Sequence, residues 1–496
     1  TRFRKKRGPE GSHTTRWRRL LAILMLATIA VLQMPGVATA RRKGSGGDAR
    51  LRALEDALRR TQEELESLKG RVEQQRAIGQ ATAKETQEAA DTAKAASETA
   101  KKGASLPDWL SKTALSGDVR YRHEGFYHQP HQAGTVSTAR NRERVRARLG
   151  VKFTYSDELS ATVRAATGNP NDPISTNETL TGAFNRKNFN LDLASLTFTP
   201  GKSFGLRPGI ASFTFGKFAN PVFRVSELVL DEDVSAEGAS QTFQLLDQVK
   251  VHALQWTFAE IANKQDGWMF GGQINPSLHF GGVQVEAGLG QFWWSNPDQI
   301  AQALSRNTTA FNASGAPVAN GSFNSSLANT NLVVTKRIQP PTQKGGRKPA
   351  AFTAITGYQS GFNQTNALVS ATVPNVVGVR PLRVWFDYVR NWDAATDDSS
   401  GWQAGLRLGQ TKNKGDWSLY GFYEHLGQEA AISSFTSSEF GTAGTNVAGP
   451  AIGVDYQLLG PVTVSAKGYF TNFLNRPAGT SNSTLSRVQL DALLRF

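Results

Sequence analysis

The chain of 496 residues contains no cysteine and only three methionines. Without cysteine there are no disulfides, no thiolate metal ligands and no thiol nucleophile. Long apolar runs are missing too. The longest, "LLAILMLATIAVL" at 20–32, is thirteen residues, against the roughly 20 that a spanning helix needs. It follows Arg16, Arg18 and Arg19 and precedes Ala38 and Ala40 in an A-x-A arrangement. That order makes residues 1–40 a secretory signal peptide cleaved after Ala40. A secreted chain of this size without cysteine fits a bacterial outer membrane better than a disulfide-built ectodomain.

Excess acidity is also absent, since the formal net charge is +15. Dividing it along the chain removes the suggestion of a nucleic-acid binder. Residues 1–40 carry +7, the basic linker 41–47 carries +3, and residues 48–102 balance at 11 against 11. The +8 left after cleavage is small for so large a surface, so nucleic acid is excluded as a partner.

Residues 48–102 lack proline and aromatic residues altogether. Leu51, Leu58, Leu65 and Val72 recur by sevens, with Leu54 and Leu68 between them. This spacing predicts an α-helical coiled coil. Thr61 and Gln75 are polar seam residues, which cost stability and fix register. Gly103 and Pro107 end the helical pattern and open a linker, 103–114.

From Leu115 to Phe496 the period is two. In "RERVRARLGVKFTYS" (142–156) the even positions carry Arg142, Arg144, Arg146, Arg148 and Lys152; the odd positions from Val145 to Tyr155 are apolar. Such opposite faces fit a soluble sheet, with a core on one side and bulk water on the other, or a transmembrane barrel, with lipid on one side and a wet lumen on the other. One strand does not decide. Sixteen such segments occur, near 115–124, 143–155, 159–167, 189–199, 210–218, 238–246, 249–259, 267–275, 281–292, 359–373, 381–390, 401–409, 415–424, 449–458, 461–470 and 486–496. Those near 238–246 and 359–373 alternate poorly, which leaves fourteen and eighteen strands open. Short connections such as "SDE" (156–158), "LD" (246–247), "NPSLH" (275–279), "TKNKG" (411–415) and "LGP" (459–461) alternate with long ones, of which 293–358 is the longest. Short turns at one end and long loops at the other define an outer-membrane barrel. The expected fold is therefore all-β: an antiparallel transmembrane β-barrel of about sixteen strands over 115–496, preceded by a periplasmic coiled coil.

The patches "FGKFANP" (215–221), "DEDVSAEG" (231–238), "KGDWSLYGFYEH" (414–425) and "SSEFGTAGTNVAG" (437–449), with the terminal Phe496, resemble the putative porin family of bacterial outer membranes. The last patch has a single acid, Glu439, where a more acidic form is expected. The resemblance implies passive diffusion of small hydrophilic solutes and ions, assembly as a homotrimer, and insertion into outer-membrane lipid. It also makes Phe496, with Leu494 and Leu490 at alternate positions before it, a signal for the outer-membrane assembly machinery.

Within that frame Arg120, Arg122, Arg144, Arg146, Arg148, Lys152 and Arg164 are expected to line the lumen. Arg120 and Arg122 should approach Arg144 and Arg146, and Arg164 should lie near Arg148. The third loop, 219–237, carries Glu227, Asp231, Glu232, Asp233 and Glu237. Folded inward, as the family's third loop is, it would set acid against base across a constriction; a solvated acidic surface loop is the alternative. Its D-x-D lacks the later ligands and turn glycine of a calcium loop. Trp293, Trp294, Trp385 and Tyr388 are expected in interfacial girdles.

The seven histidines are scattered and no P-loop, G-x-S-x-G or dinucleotide fingerprint stands in context, so no enzyme, metal or cofactor is expected. The other readings are an anion- or phosphate-selective channel and, from a different class, an envelope tether reaching peptidoglycan through the coiled coil.

Overall fold

The structure, a computed structural model, describes residues 108–130, 139–260, 265–304, 309–311, 317–319, 329–339, 342, 348, 351–441 and 444–496. The segments 1–40, 41–47 and 48–102, and the linker up to 107, lie outside the described residues.

Sixteen strands form one closed wall. They are β1 (Thr113–Tyr127), β2 (Arg140–Ser156), β3 (Leu159–Thr167), β4 (Phe189–Phe198), β5 (Ala211–Ala219), β6 (Ser235–Leu246), β7 (Val249–Ala259) and β8 (Gly267–Phe280). The second half comprises β9 (Val283–Ser295), β10 (Phe362–Val377), β11 (Arg380–Asn391), β12 (Ser400–Gly409), β13 (Trp417–Leu426), β14 (Val447–Gln457), β15 (Val462–Phe473) and β16 (Leu485–Arg495). Each pairs antiparallel with its neighbours in sequence, and β16 pairs with β1. The count is therefore sixteen, with the two poorly alternating segments in the wall as β6 and β10.

The last residue finishes the closure. Phe496 N donates to Gly117 O at 3.1 Å, and Gly117 N donates to Phe496 O at 3.0 Å. The Phe496 ring lies over Gly117 so closely that a Cβ there would meet it at 2.6 Å. Leu490 and Leu494 share the outer row with it, all three exposed.

The strand pleat sorts the side chains as the period predicts. Leu115, Val119, Leu149, Val151 and Val163 are exposed on the outer surface, while Asp118, Arg120, Arg122, Glu124 and Arg146 are buried inside. Connections at one end are short, including 157–158, 247–248, 281–282 and 378–379; those at the other are long, reaching 296–361. One expected turn moves. "NPSLH" belongs to β8, and the chain reverses at Gly281 and Gly282, with φ of 54° and 87°. A two-residue hairpin turn with both φ positive takes glycine without strain.

Inside the wall, the long loops bring their own core. Trp256, Trp294, Phe362, Ile432 and Phe435 cluster with Ile300 of the helix Asp298–Leu304. A second cluster joins Leu228, Val389, Leu426, Phe440 and Tyr469. Each such side chain taken out of water contributes roughly 1.5–3 kcal/mol, which fastens loop to wall. Among the described residues, no helix is long and apolar enough to cross a membrane.

Candidate functional site

Loop 220–234, between β5 and β6, turns inward to side chains of β8 and β11. Two glycines account for the bend. Gly216 on β5 and Gly238 on β6 stand directly opposite each other, with φ of 108° and 123°, values that residues with a Cβ rarely adopt. A Cβ would lie 2.3 Å from Ala194 O at the first and 2.4 Å from Gln255 O at the second. At the same level the ladders stop: β4 pairs with β5 only up to Ala194–Lys217, and β6 pairs with β7 only from Gly238–Trp256. The tip of the β5–β6 hairpin thus leaves both neighbours and carries its loop into the barrel.

Inward-facing side chains receive it. Phe223 N donates to Gln273 Oε1 of β8 at 2.8 Å, and Ser226 Oγ donates to Asp387 of β11 at 2.7 Å. Asp231 N donates to Phe435 O at 2.7 Å. Leu228 and Leu230 are buried and fix the loop against the apolar clusters.

The arginines of β1 and β2 meet across the ladder as the pattern predicts. Arg120 is opposite Arg146 and Arg122 is opposite Arg144. Direct like-charge opposition is destabilising unless neutralised, and neighbouring carboxylates do most of that. Asp118 accepts from Arg146 at 2.9 Å and Arg148 at 2.7 Å. Glu124, fully buried, accepts from Arg142, Arg487 and Gln489, with Arg144 at 3.8 Å. Arg122 is held by Asp491 at 2.6 and 2.7 Å and by Glu439. Arg164 stands opposite Gly150, as the diagonal same-face neighbour of Arg148, and binds Asp192 at 2.5 Å. Lys152, nearer the short-turn end, is exposed.

The loop acids divide into different roles. Asp233 alone reaches the arginines, accepting from Arg148 at 3.2 Å as well as from Thr176. Asp231, 2% exposed, instead organises loops: it accepts Asp233 N and Ser438 N, both at 2.8 Å. Glu237 is not on the loop. It lies on β6 opposite Lys217 and binds it at 2.7 Å.

Glu227 and Glu232 border a chamber of about 280 Å³ whose wall carries Arg383 of β11, Arg407 of β12 and Lys467 of β15. Burial, then the charges of Glu232 and Glu439, push the Glu227 carboxyl up to about 7. Burial and Glu227 raise Asp231 as well. Burial would also raise Glu439, but Arg122, Lys467 and Arg120 hold it well below the usual carboxylate range.

Two features escape the sequence pattern. The chamber cations are single residues on separate strands, so no cluster marks them; their only signal is the inward parity of Arg383 with Asp387 and of Lys467 with Tyr469. The second is loop 427–446, which dives inward with Ile432, Ser433, Ser434 and Phe440 buried. Its Glu439 joins Arg122 to Tyr469 Oη at 2.9 Å. The aromatic girdle is also only half as expected. Trp293 is exposed outside and Tyr388 is on the outer row, whereas Trp294 donates to Gln364 and Trp385 to Gln403 inside the barrel. Consecutive residues of a strand must point to opposite faces, so Trp293 and Trp294 cannot share one.

A family model described as "Putative porin" matches residues 129–496. No curated protein sequence matches the chain. Similar solved structures include OprB of Pseudomonas putida, at 12% identity over 78% of this chain and 96% of that one, with a TM-score of 0.47. OmpF of Salmonella typhi follows at 11% identity, covering 77% and 97%, with a TM-score of 0.42. OmpT of Vibrio cholerae is 11% identical, covering 77% and 99%, with a TM-score of 0.38. The family model covers well over half of the sequence, and with the closed sixteen-stranded barrel it settles the membership: the chain belongs to the putative porin family, a transmembrane β-barrel of the outer-membrane porin type.

Proposed function

We propose that the protein is an outer-membrane diffusion porin in which small hydrophilic solutes and ions pass through the chamber between the inward loop 220–234 and the wall of β11, β12 and β15. The observation that carries this reading is the chamber itself, bordered by Glu227 and Glu232 on the loop and by Arg383, Arg407 and Lys467 on the wall. Opposed charges of fixed position create a transverse field that orients polar solutes and holds back apolar ones. The exposed apolar residues of the outer surface meet lipid, and Phe496, Leu494 and Leu490 supply the strand read by the assembly machinery.

In this reading the signal peptide 1–40 directs export, residues 48–102 form a periplasmic coiled coil, and the heptads support a homotrimer. Wall arginines such as Arg148 add a mild anion preference, which is the basis of the anion-channel variant.

Purified protein in planar bilayers is the test. Steady, ohmic single-channel steps support the porin; a barrel that inserts and stays closed contradicts it. One observation favours the tether as a second reading: loops and a helix pack two apolar clusters against the inner wall. A closed barrel whose deletion of 48–102 lowers cell-wall association would select that reading.

A further inference from the structure

We propose that the arginine stack holds a small oxyanion of the phosphate, sulfate or carboxylate kind between Arg120 and Arg146. These two residues face each other directly across the β1–β2 ladder and are 7% and 3% exposed. Arg120 Nε, Arg144 Nε and Arg146 Nη1 are buried and meet no acceptor among the described residues. Buried, unpaired donors on charged groups are costly, so three on neighbouring residues of one ladder call for a ligand.

Each oxygen of the surrounding carboxylates already accepts from another donor, and none reaches these three N–H groups. Asp118 gives one oxygen to Arg146 and the other to Arg148. Asp491 gives both to Arg122. Asp233 divides between Arg148 and Thr176, and Glu439 between Arg122 and Tyr469. Glu124 divides between Arg487 with Gln489 on one side and Arg142 on the other. Arg120 is left with a neutral acceptor, Asn177 Oδ1 at 2.7 Å. Water would satisfy the N–H groups but not the excess positive charge.

The donors suit an oxyanion. A guanidinium presents N–H groups in a planar fork that matches carboxylate and phosphate oxygens. Ser175 Oγ, 6% exposed, accepts from Arg144 and Asn177 and keeps its own proton to donate. Entry comes from the lumen, since Arg120 and Asn177 both border the chamber. That position excludes a lipid headgroup and leaves a dissolved anion.

The test uses the purified full chain in detergent with inorganic phosphate as the probe, measured by equilibrium dialysis at low ionic strength. Sulfate and acetate compete in parallel. The expected result is saturable binding of one phosphate per chain, weakened about tenfold or more by Arg120→Met or Arg146→Met, each of which removes charge-assisted hydrogen bonds. Arg207→Gln, a change in an exposed pair with Asp247, should bind as the parent does. If a methionine variant fails to fold, as judged by heat-modifiable electrophoretic mobility, Arg120→Lys keeps the charge, removes the fork and should still bind more weakly. Absence of saturable binding by the parent chain for all three anions overturns the proposal, as does undiminished binding by the folded Arg120 variants. Binding is read without current, so a non-conducting barrel that takes phosphate would refute the diffusion reading and leave this one standing.

Discussion

On β1, β2 and β16 the inner wall is built of charges that largely consume one another, with Glu124 and Asp118 each shared by two or more arginines. On β11, β12 and β15 the cations are fewer and border a chamber: among the described residues Arg383 donates only to Ser370, at 3.5 Å, Arg407 pairs with Asp455 at 2.8 Å, and Lys467 lies 3.6 Å from Glu439. The comparison separates charge that holds a wall together from charge that a passing solute meets. A count of arginines along a strand does not distinguish the two. Their place on or off the chamber wall does.

The largest expected effect on conductance comes from the bend that brings loop and wall together. Gly216→Val or Gly238→Val forces a Cβ into a backbone oxygen at a positive φ, and such conformations alone cost about 1–3 kcal/mol. Either change should lower the melting temperature of the barrel and, in folded molecules, enlarge the single-channel conductance as loop 220–234 withdraws. Unaltered conductance and stability would show that the hairpin bends without the glycines.

Next comes the stack itself. Glu124→Gln removes a buried charge with several cationic partners, and breaking such a pair costs about 3–5 kcal/mol. Urea unfolding in detergent should register it clearly. Glu232→Gln, on an exposed residue of the loop, should leave the unfolding midpoint in place and change ion preference. Similar midpoints for the two variants would erase the proposed division of labour.

Selectivity sharpens the same contrast. Replacing Arg383, Arg407 and Lys467 by Gln should move the reversal potential toward cations. Replacing Arg144, Arg146 and Arg148 should move it less, and both shifts should shrink as salt screens the lumen. The opposite ranking would put the conduction path beside the stack.

The smallest effect is a pH dependence. The Glu227 carboxyl is raised from its ordinary 4.5 to about 7, first by burial and then by Glu232 and Glu439. Its contribution to loop stability is present at low pH and is lost as pH rises through about 7. Deprotonation also adds negative charge to the chamber, so cation preference should grow between pH 6 and 8, the span about Glu227's raised value of about 7. Glu227→Gln should flatten that change; a slope that survives belongs to another group.

Much of the wall was legible because strand parity is a local property. The row from Val145 to Tyr155 and the arginines opposite it are read directly from alternation, and the register of Arg120 with Arg146 follows from pairing β1 with β2. The inward loop was approachable through its acids, although the physical cause was Gly216 and Gly238, each ordinary in sequence and meaningful only once they stand opposite each other. Glu237 was misplaced because a strand end and a loop look alike in acidic residues. The chamber cations and loop 427–446 were hidden for a different reason: closure of the barrel brings together side chains far apart in the chain, such as Arg122 and Glu439, and no local period records it.

The central claim is that current passes between loop 220–234 and the wall. The absence of native cysteine permits a direct test with single cysteines. A bulky water-soluble thiol reagent added during planar-bilayer recording of Glu232→Cys should cut the conductance in discrete steps. The same reagent should leave Leu149→Cys, on the exposed apolar outer row, unaffected. Undiminished current through a fully modified Glu232→Cys channel would contradict the account.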